Sequence, residues 1–400
     1  MSLTHIALGV VSVTYKKLDY SCTLLRSDFL IQDIKEAQCK IMEKVALVVD
    51  NGSSFCRSGF AGEEKPRIVM KTASLPPIYH PVCSLNDEKL QTQPLKHGII
   101  LDWQAMENLW SHLFYCGLQV STEDHPILTS DSPSCPTTNR EKMAEVFFEG
   151  FSVPALYVAN TGFLSLCYCG RITGLAIEAG AGISHVTPIY SGQTCMEGIY
   201  RLDVAGNGLC KYMHNLLLNS SNNLYLLSTL NKKMVTQLKK NYCYVSMDYK
   251  RDLQEKTCHE PVSIETPDGH LLTLDKERFC CPEPLFKPHL LNQSSPGLHH
   301  LVFQSLQKVP DKFKGEVINN IVLSGGSSLF PGFPERMCLE LNALFHGREY
   351  FIKILASPKR GTAVWLGGSL AASLSSFQSL WMRKQDYQEH GAAYVHKKFK

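Results

Sequence analysis

The 400-residue sequence has no large excess of charge of either sign and no long run of basic residues. Its formal net charge is +3, and only the tail from His396 to Lys400 is locally basic. This balance does not favour nucleic-acid binding, and we interpret the tail as a solvated terminus. No stretch approaches the ~18 apolar residues of a membrane-spanning helix. The first residues include neither a basic segment nor a small-residue cleavage motif, so we expect no signal peptide.

Cysteine is frequent, but its spacing is not that of a zinc site. The fifteen cysteines are an odd number, and no C-x-x-C pair recurs along the chain. They are scattered through apolar segments such as residues 166–170. We therefore expect reduced thiols in a reducing compartment. A redox or metal role for Cys167 and Cys169 is the alternative.

The remaining composition is that of a globular protein. Apolar residues make up 44% of the chain and charged residues 19%, and the length suggests two or three domains. Apolar strand patterns alternate with helical patterns from residue 46 onward, which predicts an α/β protein whose sheets are covered by helices. One predicted helix has Thr138 and Glu141 at capping-box spacing.

Residues 1–44 form an N-terminal extension before this alternation. Within it, residues 28–42 have the pattern of a short amphipathic helix. We interpret the extension as a flexible or alternatively started terminus, and a partner-binding arm is the alternative.

Two stretches have the outline of phosphate-binding hairpins. The first, "ALVVDNGSSFCRSG" from Ala46 to Gly59, offers successive backbone N–H groups and hydroxyls to an anion. Arg57 adds positive charge, and Asp50 at the strand end is placed to hold water on Mg²⁺. The alternative is a plain Asn-Gly hairpin, which is common.

The second stretch, "GLAIEAGAGISH" from Gly174 to His185, has the same outline but few polar groups. A third glycine turn, "LSGGSSLFPG", spans Leu323–Gly332. Three glycine turns at strand ends suggest a phosphate cradled between two halves of the protein. A glycine turn packed against a neighbouring helix is the alternative for the third.

Blocks such as "DNGS", "HGII", "NREKM", "PIYSG", "VLSGGSSLFPG" and "VWLGGS" resemble actin, in the same order along the chain. The resemblance runs from about Val45 to the C-terminus, over nearly nine tenths of the chain, with one clear shortening. The sequence is too divergent for a conventional actin. It is similar to the actin-like and actin-related proteins, several of which are typical of male germ cells (testis).

The resemblance implies an α/β actin fold, with ribonuclease H-like duplicated domains that form two lobes around a nucleotide cleft. The first lobe would span residues 45–168, with a shortened outer subdomain at 72–96. The second lobe would span residues 169–362, with its own outer subdomain at 205–293. Residues 363–400 would be C-terminal helices that return to the first lobe.

The resemblance also implies that ATP or ADP binds in the cleft with Mg²⁺. Asp50 and Glu178 would face the metal. Ser54 replaces a family glycine and Arg57 a family lysine. The residues implied to bind the nucleotide are Asp50, Asn51, Gly52, Ser53, Ser54, Arg57, Glu178, Gly180, Gly182, Lys239, Gly325, Gly326 and Ser327.

Several positions depart from the family pattern where hydrolysis would occur. The family reads Asp-Ser-Gly-Asp-Gly where this chain has Glu178, Ala179 and Ala181. Thr161 replaces the glutamine that orients the attacking water, while His185 of the water network is present. Threonine is too short to place a water at the same point. We therefore predict weak or lost ATP hydrolysis, so that the protein is not an enzyme.

Fewer departures from the family pattern lie at the positions that would contact the base and the ribose. Lys240 replaces a glutamate that holds the ribose, Thr236 replaces an arginine, and Gly361 replaces a lysine along the adenine. Nucleotide binding therefore stays an expectation separate from hydrolysis.

Polymerisation depends in the family on the segment that matches residues 72–96, whose loop inserts into the next subunit. Here the segment is short and proline-rich and lacks the family's "VGDEA" signature. The stretch "LFKPHLLNQSSPG" still resembles a loop that touches the opposite strand. We expect capping, co-assembly or scaffolding through protein–protein contacts. The alternative is an ATP-hydrolysing actin-related protein that forms filaments.

The resemblance implies a partner surface in the cleft between the two inner subdomains, formed by Cys167, Gly170, Ile172, Leu374 and Leu380. Ordinary core packing is the alternative for these residues. The implied partners are actin-binding or cytoskeletal proteins, including actin itself, in the cytoplasmic cytoskeleton. Neither nucleic acid nor a membrane is expected as a partner.

Overall fold

The computed structural model describes residues 44–73, 93–220, 230–255, 260–265, 269, 271–346 and 352–399. The predicted helix over 28–42 and most of the shortened segment at 72–96 lie outside the described residues. Among the helices that are described, none has both the length and the apolar character needed to cross a bilayer.

The described residues contain sixteen strands, of which β1, β8 and β14 end at the three glycine turns that the sequence predicts. They are β1 (Leu47–Asn51), β2 (Phe55–Phe60), β3 (Ile68–Lys71), β4 (Leu95–Lys96), β5 (Ile99–Ile100), β6 (Ile127–Asp131), β7 (Ala155–Asn160), β8 (Gly174–Ala179), β9 (Ser184–Tyr190), β10 (Gln193–Thr194), β11 (Tyr200–Leu202), β12 (Val262–Glu265), β13 (Leu271–Leu274), β14 (Ile321–Ser324), β15 (Ile354–Leu355) and β16 (Met382–Arg383).

Thirteen α-helices lie between and after these strands in the described part of the chain. They are α1 (Trp103–Ser111), α2 (Thr137–Glu145), α3 (Thr161–Tyr168), α4 (Gly206–Ser220), α5 (Lys232–Tyr242), α6 (Tyr249–Gln254), α7 (Glu277–Cys280), α8 (Leu298–Lys308), α9 (Asp311–Ile318), α10 (Phe333–Leu344), α11 (Ala363–Ser373), α12 (Lys384–His390) and α13 (Val395–Lys398).

The first sheet has six strands in the order β16-β7-β6-β1-β2-β3. Strand β1 forms a hairpin with β2 and runs parallel to β6, which runs parallel to β7. Side chains alternate between the two faces of a strand, and both faces of β1 are covered. Leu47 and Val49 belong to one buried apolar cluster and Val48 to another.

The second sheet repeats this arrangement. Its order is β10-β9-β8-β14-β15, with β11 paired to the free edge of β9. Strand β8 forms a hairpin with β9 and runs parallel to β14. In both sheets, therefore, a hairpin lies beside a parallel strand. The two hairpins of similar outline that the sequence predicts at Ala46–Gly59 and Gly174–His185 correspond to β1–β2 and β8–β9.

The C-terminal segment packs on the first sheet. Trp365 on α11 is fully buried, and its indole N–H donates to the carbonyl oxygen of Val48 at 3.1 Å. Met382, Val395 and Phe399 join the apolar cluster on the other face of the same sheet. The apolar cluster of the second sheet contains residues from Leu175 to Ile352. The exact subdomain boundaries stay a prediction.

Two local predictions need correction. The capping box at Thr138 and Glu141 is wrong, because α2 begins at Thr137 after Pro136 and has no side-chain cap. The N-cap is Pro136, two residues before the predicted cap at Thr138, and proline fixes the backbone dihedral φ at the helix start. The C-terminal segment 363–400, expected to be helical, also contains a short strand, since α11 ends at Ser373 and β16 precedes α12.

Packing of α11 on α3 generates a stability prediction. A Cβ on Gly367 would lie 1.8 Å from the backbone carbonyl oxygen of Leu164 in α3. Gly367→Ala should therefore force the two helices apart and lower the free energy of unfolding by at least about 2 kcal/mol. Chemical denaturation of both proteins measures this difference.

Gly315→Ala is the matched control. Gly315 is exposed in α9, and nothing lies within 4 Å of the point where its Cβ would be. The substitution should stabilise the protein by about 0.5–1 kcal/mol through helix propensity. Equal effects of the two substitutions would contradict the close contact between α11 and α3.

Candidate functional site

The first hairpin is anchored to its parallel neighbour by Asn51. The side-chain amide of Asn51 donates to Thr129 Oγ1 at 2.8 Å and to the Ser130 carbonyl oxygen at 3.0 Å. The side-chain oxygen of Asn51, Oδ1, accepts a hydrogen bond from the Trp110 indole N–H at 3.1 Å. This side chain therefore holds the turn between β1 and β2 against β6. The turn itself is closed by Thr72, whose hydroxyl donates to the Gly52 carbonyl oxygen.

Asp50 and Arg57 face each other across this hairpin. They are directly opposed in the β1–β2 register, and Arg57 Nη1 donates to Asp50 Oδ2 at 2.9 Å. The Asp50 side chain is 8% exposed and the Arg57 side chain 18%. Burial raises the pKa of Asp50, while the charge and hydrogen bond of Arg57 act in the opposite direction. The arginine is thus the counter-charge of a buried carboxylate.

Glu178 is the carboxylate of the second hairpin. Its partner is a hydroxyl, whereas the partner of Asp50 is a guanidinium. Thr161, at the start of α3, donates its hydroxyl to Glu178 Oε2 at 2.8 Å. Burial raises the pKa of Glu178 to about 7, against the smaller lowering effect of this hydrogen bond. The Ser165 hydroxyl donates to the backbone carbonyl oxygen of Thr161 at 2.9 Å.

His185 lies opposite Glu178 in the β8–β9 register. Its Nε2 is 2.7 Å from Ser134 Oγ and 3.5 Å from Ser132 Oγ, both in the segment after β6. Burial, and then the charge of Arg201, lowers the pKa of His185 to about 3, so the imidazole is neutral.

The tips of the two hairpins are in close contact. A Cβ on Gly182 would lie only 2.5 Å from Ser53 Oγ, so this position accommodates no side chain. His97, between β4 and β5, donates its Nδ1–H to the Gly182 carbonyl oxygen at 3.0 Å. Ser54 accepts from the Thr72 backbone N–H at 3.0 Å. The tips are therefore fixed from both sides.

The third turn packs under the second hairpin. Gly325 has φ +88°, and a Cβ there would lie 2.3 Å from the Ala179 carbonyl oxygen. Ser327 donates its hydroxyl to the Gly180 carbonyl oxygen at 2.7 Å. Gly326 is exposed and has open space where a side chain would be. The structure thus brings the three predicted glycine turns together at one junction.

The positions implied for the nucleoside lie beside this junction. Lys239 is 6% exposed, and its ammonium donates to the Gly206 carbonyl oxygen at 2.7 Å. The N–H of Gly206 in turn donates to the Gly180 carbonyl oxygen. The neighbour Lys240 is exposed, and Thr236 contacts the thiol of Cys210 at 3.4 Å.

The polar residues at the end of β6 and just after it were not predicted from the sequence. Ser130, in β6, contacts both Asp50 and the Asn51 backbone N–H, and Ser134, after β6, contacts His185. A signal was present in the run "LTSDSPS", which ends β6 and continues beyond it. Because β6 is parallel to β1, the carboxyl ends of the two strands meet at one edge of the sheet.

The carboxylates at this junction do not fit a divalent cation held in the way that the resemblance implies. Asp50 is paired with Arg57, and Glu178 accepts a hydrogen bond from Thr161. Ala181 supplies no ligand. Over the described residues, no group of three or more His, Cys, Asp or Glu side chains could hold a metal ion. Mg²⁺ prefers free carboxylate oxygens and retained waters.

The same junction does fit a phosphate group. Two hairpin turns and a third glycine turn converge on one point, with the Ser53 hydroxyl between them and Arg57 close by. Backbone turns of this kind, together with hydroxyls and a guanidinium, are the groups that bind phosphate oxygens in proteins.

The residues implied for the partner surface are partly exposed. Leu374 is 42% exposed, Leu380 36% and Ile172 36%. Leu374 and Leu380 flank Phe377, whose ring packs edge-on against Tyr157 with centroids 4.7 Å apart. Burial raises the pKa of the Cys167 thiol to about 12. Gly170 has φ +67° and open space around it, at the end of the helix that carries Cys167.

The raised pKa of Glu178 generates a pH prediction. Because the folded chain holds this proton more tightly than the unfolded chain, stability should fall as the pH rises from 4.5 to above 7. Glu178→Gln should remove this loss. The variant should be more stable than the parent at pH 8, by up to about 3 kcal/mol, and the difference should shrink towards pH 5. Denaturation at both pH values measures it.

Glu265→Gln is the control for this experiment, because Glu265 is exposed on β12. It should leave the pH dependence of the parent unchanged. A difference between Glu178→Gln and the parent that is the same at pH 5 and pH 8 would refute the buried, proton-binding state of Glu178.

Comparison with known proteins identifies the family to which this fold belongs. The family model described as Actin matches residues 41–400. The chain is also similar to the mouse (Mus musculus) protein "Actin-like protein 9", with 36% identity over 395 residues. The match covers 94% of this chain and 94% of the mouse protein. The resemblance and the fold class inferred from the sequence are confirmed, and the chain belongs to the actin family as a divergent actin-like protein.

Proposed function

We propose that this protein binds adenine nucleotide in the cleft, hydrolyses ATP weakly or not at all, and acts through protein–protein contacts. The observation that carries the proposal is the hydrogen bond from Thr161 to Glu178 at 2.8 Å. It commits the hydroxyl at the water-positioning site to a neighbouring side chain.

The other groups that could position a water support the same proposal. Residue 181 is an alanine, which has no polar side-chain atom. His185 is neutral, and its Nε2 contacts Ser134 at 2.7 Å. Attack on a γ-phosphate needs a water oriented in line with the leaving group. Phosphate binding is less affected, because backbone groups at the turns need no particular side chain.

Interaction is proposed to occur at the partner surface formed by Cys167, Gly170, Ile172, Leu374 and Leu380. Apolar side chains that are more than a third exposed beside a glycine with open space offer a site for an apolar segment of another protein. The proposed partners are cytoskeletal proteins, including actin, in the cytoplasmic cytoskeleton. The proposed roles are capping, co-assembly or scaffolding.

The second candidate is a filament-forming actin-related protein that hydrolyses ATP. Its membership of the actin family favours it. Thr161, Glu178 and Ala181 argue against it, for the reasons given above. The two candidates differ in the rate of phosphate release and in sedimentable polymer, which the following experiment measures together.

Purified protein with ATP and Mg²⁺ should release phosphate at least about tenfold more slowly than conventional actin assayed beside it. The double substitution Thr161→Gln with Ala181→Asp, which restores the family residues, should raise the rate severalfold. Ultracentrifugation of the same samples should yield no polymer. An actin-like rate, or a polymer pellet, would instead favour the filament-forming candidate.

The partner surface is tested with actin filaments as the probe. Leu374→Asp with Leu380→Asp places two charges on the surface, and should lower the fraction that co-sediments with filaments at least about fivefold. Leu271→Asp is the matched control, since Leu271 is 73% exposed on β13, away from this surface. Equal losses in both variants would show that these two leucines do not form the contact.

A further inference from the structure

The phosphate-binding junction has an unusual charge arrangement. The β1–β2 hairpin, residues 47–60, contains one carboxylate, Asp50, and one cation, Arg57. The two are paired at 2.9 Å, and both side chains are largely buried. Asp50 Oδ1 also lies 3.4 Å from the hydroxyl of Ser130. Both carboxylate oxygens therefore already face a protein donor.

The guanidinium is positioned at the turn rather than away from it. Arg57 Nη1 lies 3.5 Å from the point where a Cβ of Gly52 would be. Only part of its donor set is used by Asp50, since a guanidinium carries five N–H groups in a planar fork. It can keep its bond to Asp50 and still donate to a phosphate oxygen at the hairpin tip.

The rest of the junction adds little negative charge. The β8–β9 hairpin, residues 174–190, contains one carboxylate, Glu178, which accepts the Thr161 hydrogen bond. The third turn, residues 325–329, contains none. Arg57 offsets the charge of Asp50, and the Thr161 hydroxyl occupies one oxygen of Glu178, so this pair of carboxylates attracts a divalent cation less than two free carboxylates would. A fixed cation at the turn attracts a polyphosphate directly.

We infer that the Arg57 guanidinium takes the place of the divalent cation, so that the cleft binds the polyphosphate of ATP or ADP without Mg²⁺. The inference rests on the proposed nucleotide binding and extends it. Arg57 bridges Asp50 and the phosphates, as a metal ion would bridge a carboxylate and phosphates elsewhere. Binding to the cleft is then insensitive to chelators.

Titration calorimetry with ATP, in excess Mg²⁺ and in excess EDTA, tests this inference on the full-length protein. The two dissociation constants should agree within about threefold. Arg57→Gln should weaken binding at least about tenfold in EDTA, because the phosphates lose their fixed counter-charge. Thermal unfolding of each variant identifies any that fail to fold.

Arg140→Gln is the matched control. Arg140 pairs with Asp131 at 2.6 Å, and the two side chains are 22% and 3% exposed, close to the values for the Arg57–Asp50 pair. The substitution removes a comparably buried ion pair between α2 and the end of β6, and should change ATP affinity less than threefold. A tenfold loss of ATP affinity in both variants would overturn the inference, because the loss of any buried ion pair would then be enough to weaken ATP binding.

Asp50→Asn distinguishes a site where Arg57 binds the phosphates from a site where Asp50 serves a metal ion, because the expected change in ATP affinity differs between them. If Arg57 binds the phosphates, removing the carboxylate frees the guanidinium, and affinity in EDTA should stay equal or rise. A loss of tenfold or more confined to Mg²⁺ would show that Asp50 serves a metal ion and would overturn the inference.

The outcomes also separate this inference from the proposed function. Binding by the parent protein in Mg²⁺ but not in EDTA overturns the inference and leaves nucleotide binding intact. The absence of ATP binding by folded protein under both conditions overturns both.

Discussion

A carboxylate buried at the end of a strand has to be matched by a counter-charge or a hydrogen-bond donor, and the cleft is organised around this constraint. Asp50 is 6% exposed at the carboxyl end of β1. An isolated ionised carboxylate in such a place is strongly disfavoured. The chain satisfies it from within the same hairpin, because Arg57 stands opposite Asp50 in the β1–β2 register. The Arg57–Asp50 ion pair therefore sets the charge at the end of β1, where the three turns meet.

Glu178 meets the same constraint with neutral groups, and this difference separates binding from hydrolysis. A hydroxyl compensates a carboxylate less than a guanidinium does, and burial raises the pKa of Glu178 to about 7. Thr161 donates its hydroxyl to that contact. In the function that we propose, phosphate binding depends on backbone turns, whereas hydrolysis would need side chains that differ here from the family pattern.

Much of the fold could be predicted from the sequence, because its signals are local. Apolar runs that end at "DNGSS", "EAGAG" and "SGGSS" define strand ends, and the structure confirms the strands β1, β8 and β14 that precede them. Parallel pairing then brings these ends together. The error at Thr138 and Glu141 was also local, since two capping signals competed and Pro136 prevailed.

The contacts that decide the chemistry could not be predicted in the same way. Glu178 and Thr161 are separated by 17 residues, and His185 and Ser134 by 51, so only the folded sheets bring each pair together. The Asp50–Arg57 pair is the exception, because only the four residues 52–55 separate the paired residues Asn51 and Cys56, and this short turn fixes the register of the hairpin. Counting back from that turn would have placed the arginine opposite the carboxylate. Arg57 therefore has to be considered first as the partner of Asp50, and any phosphate that it binds shares the guanidinium with that carboxylate.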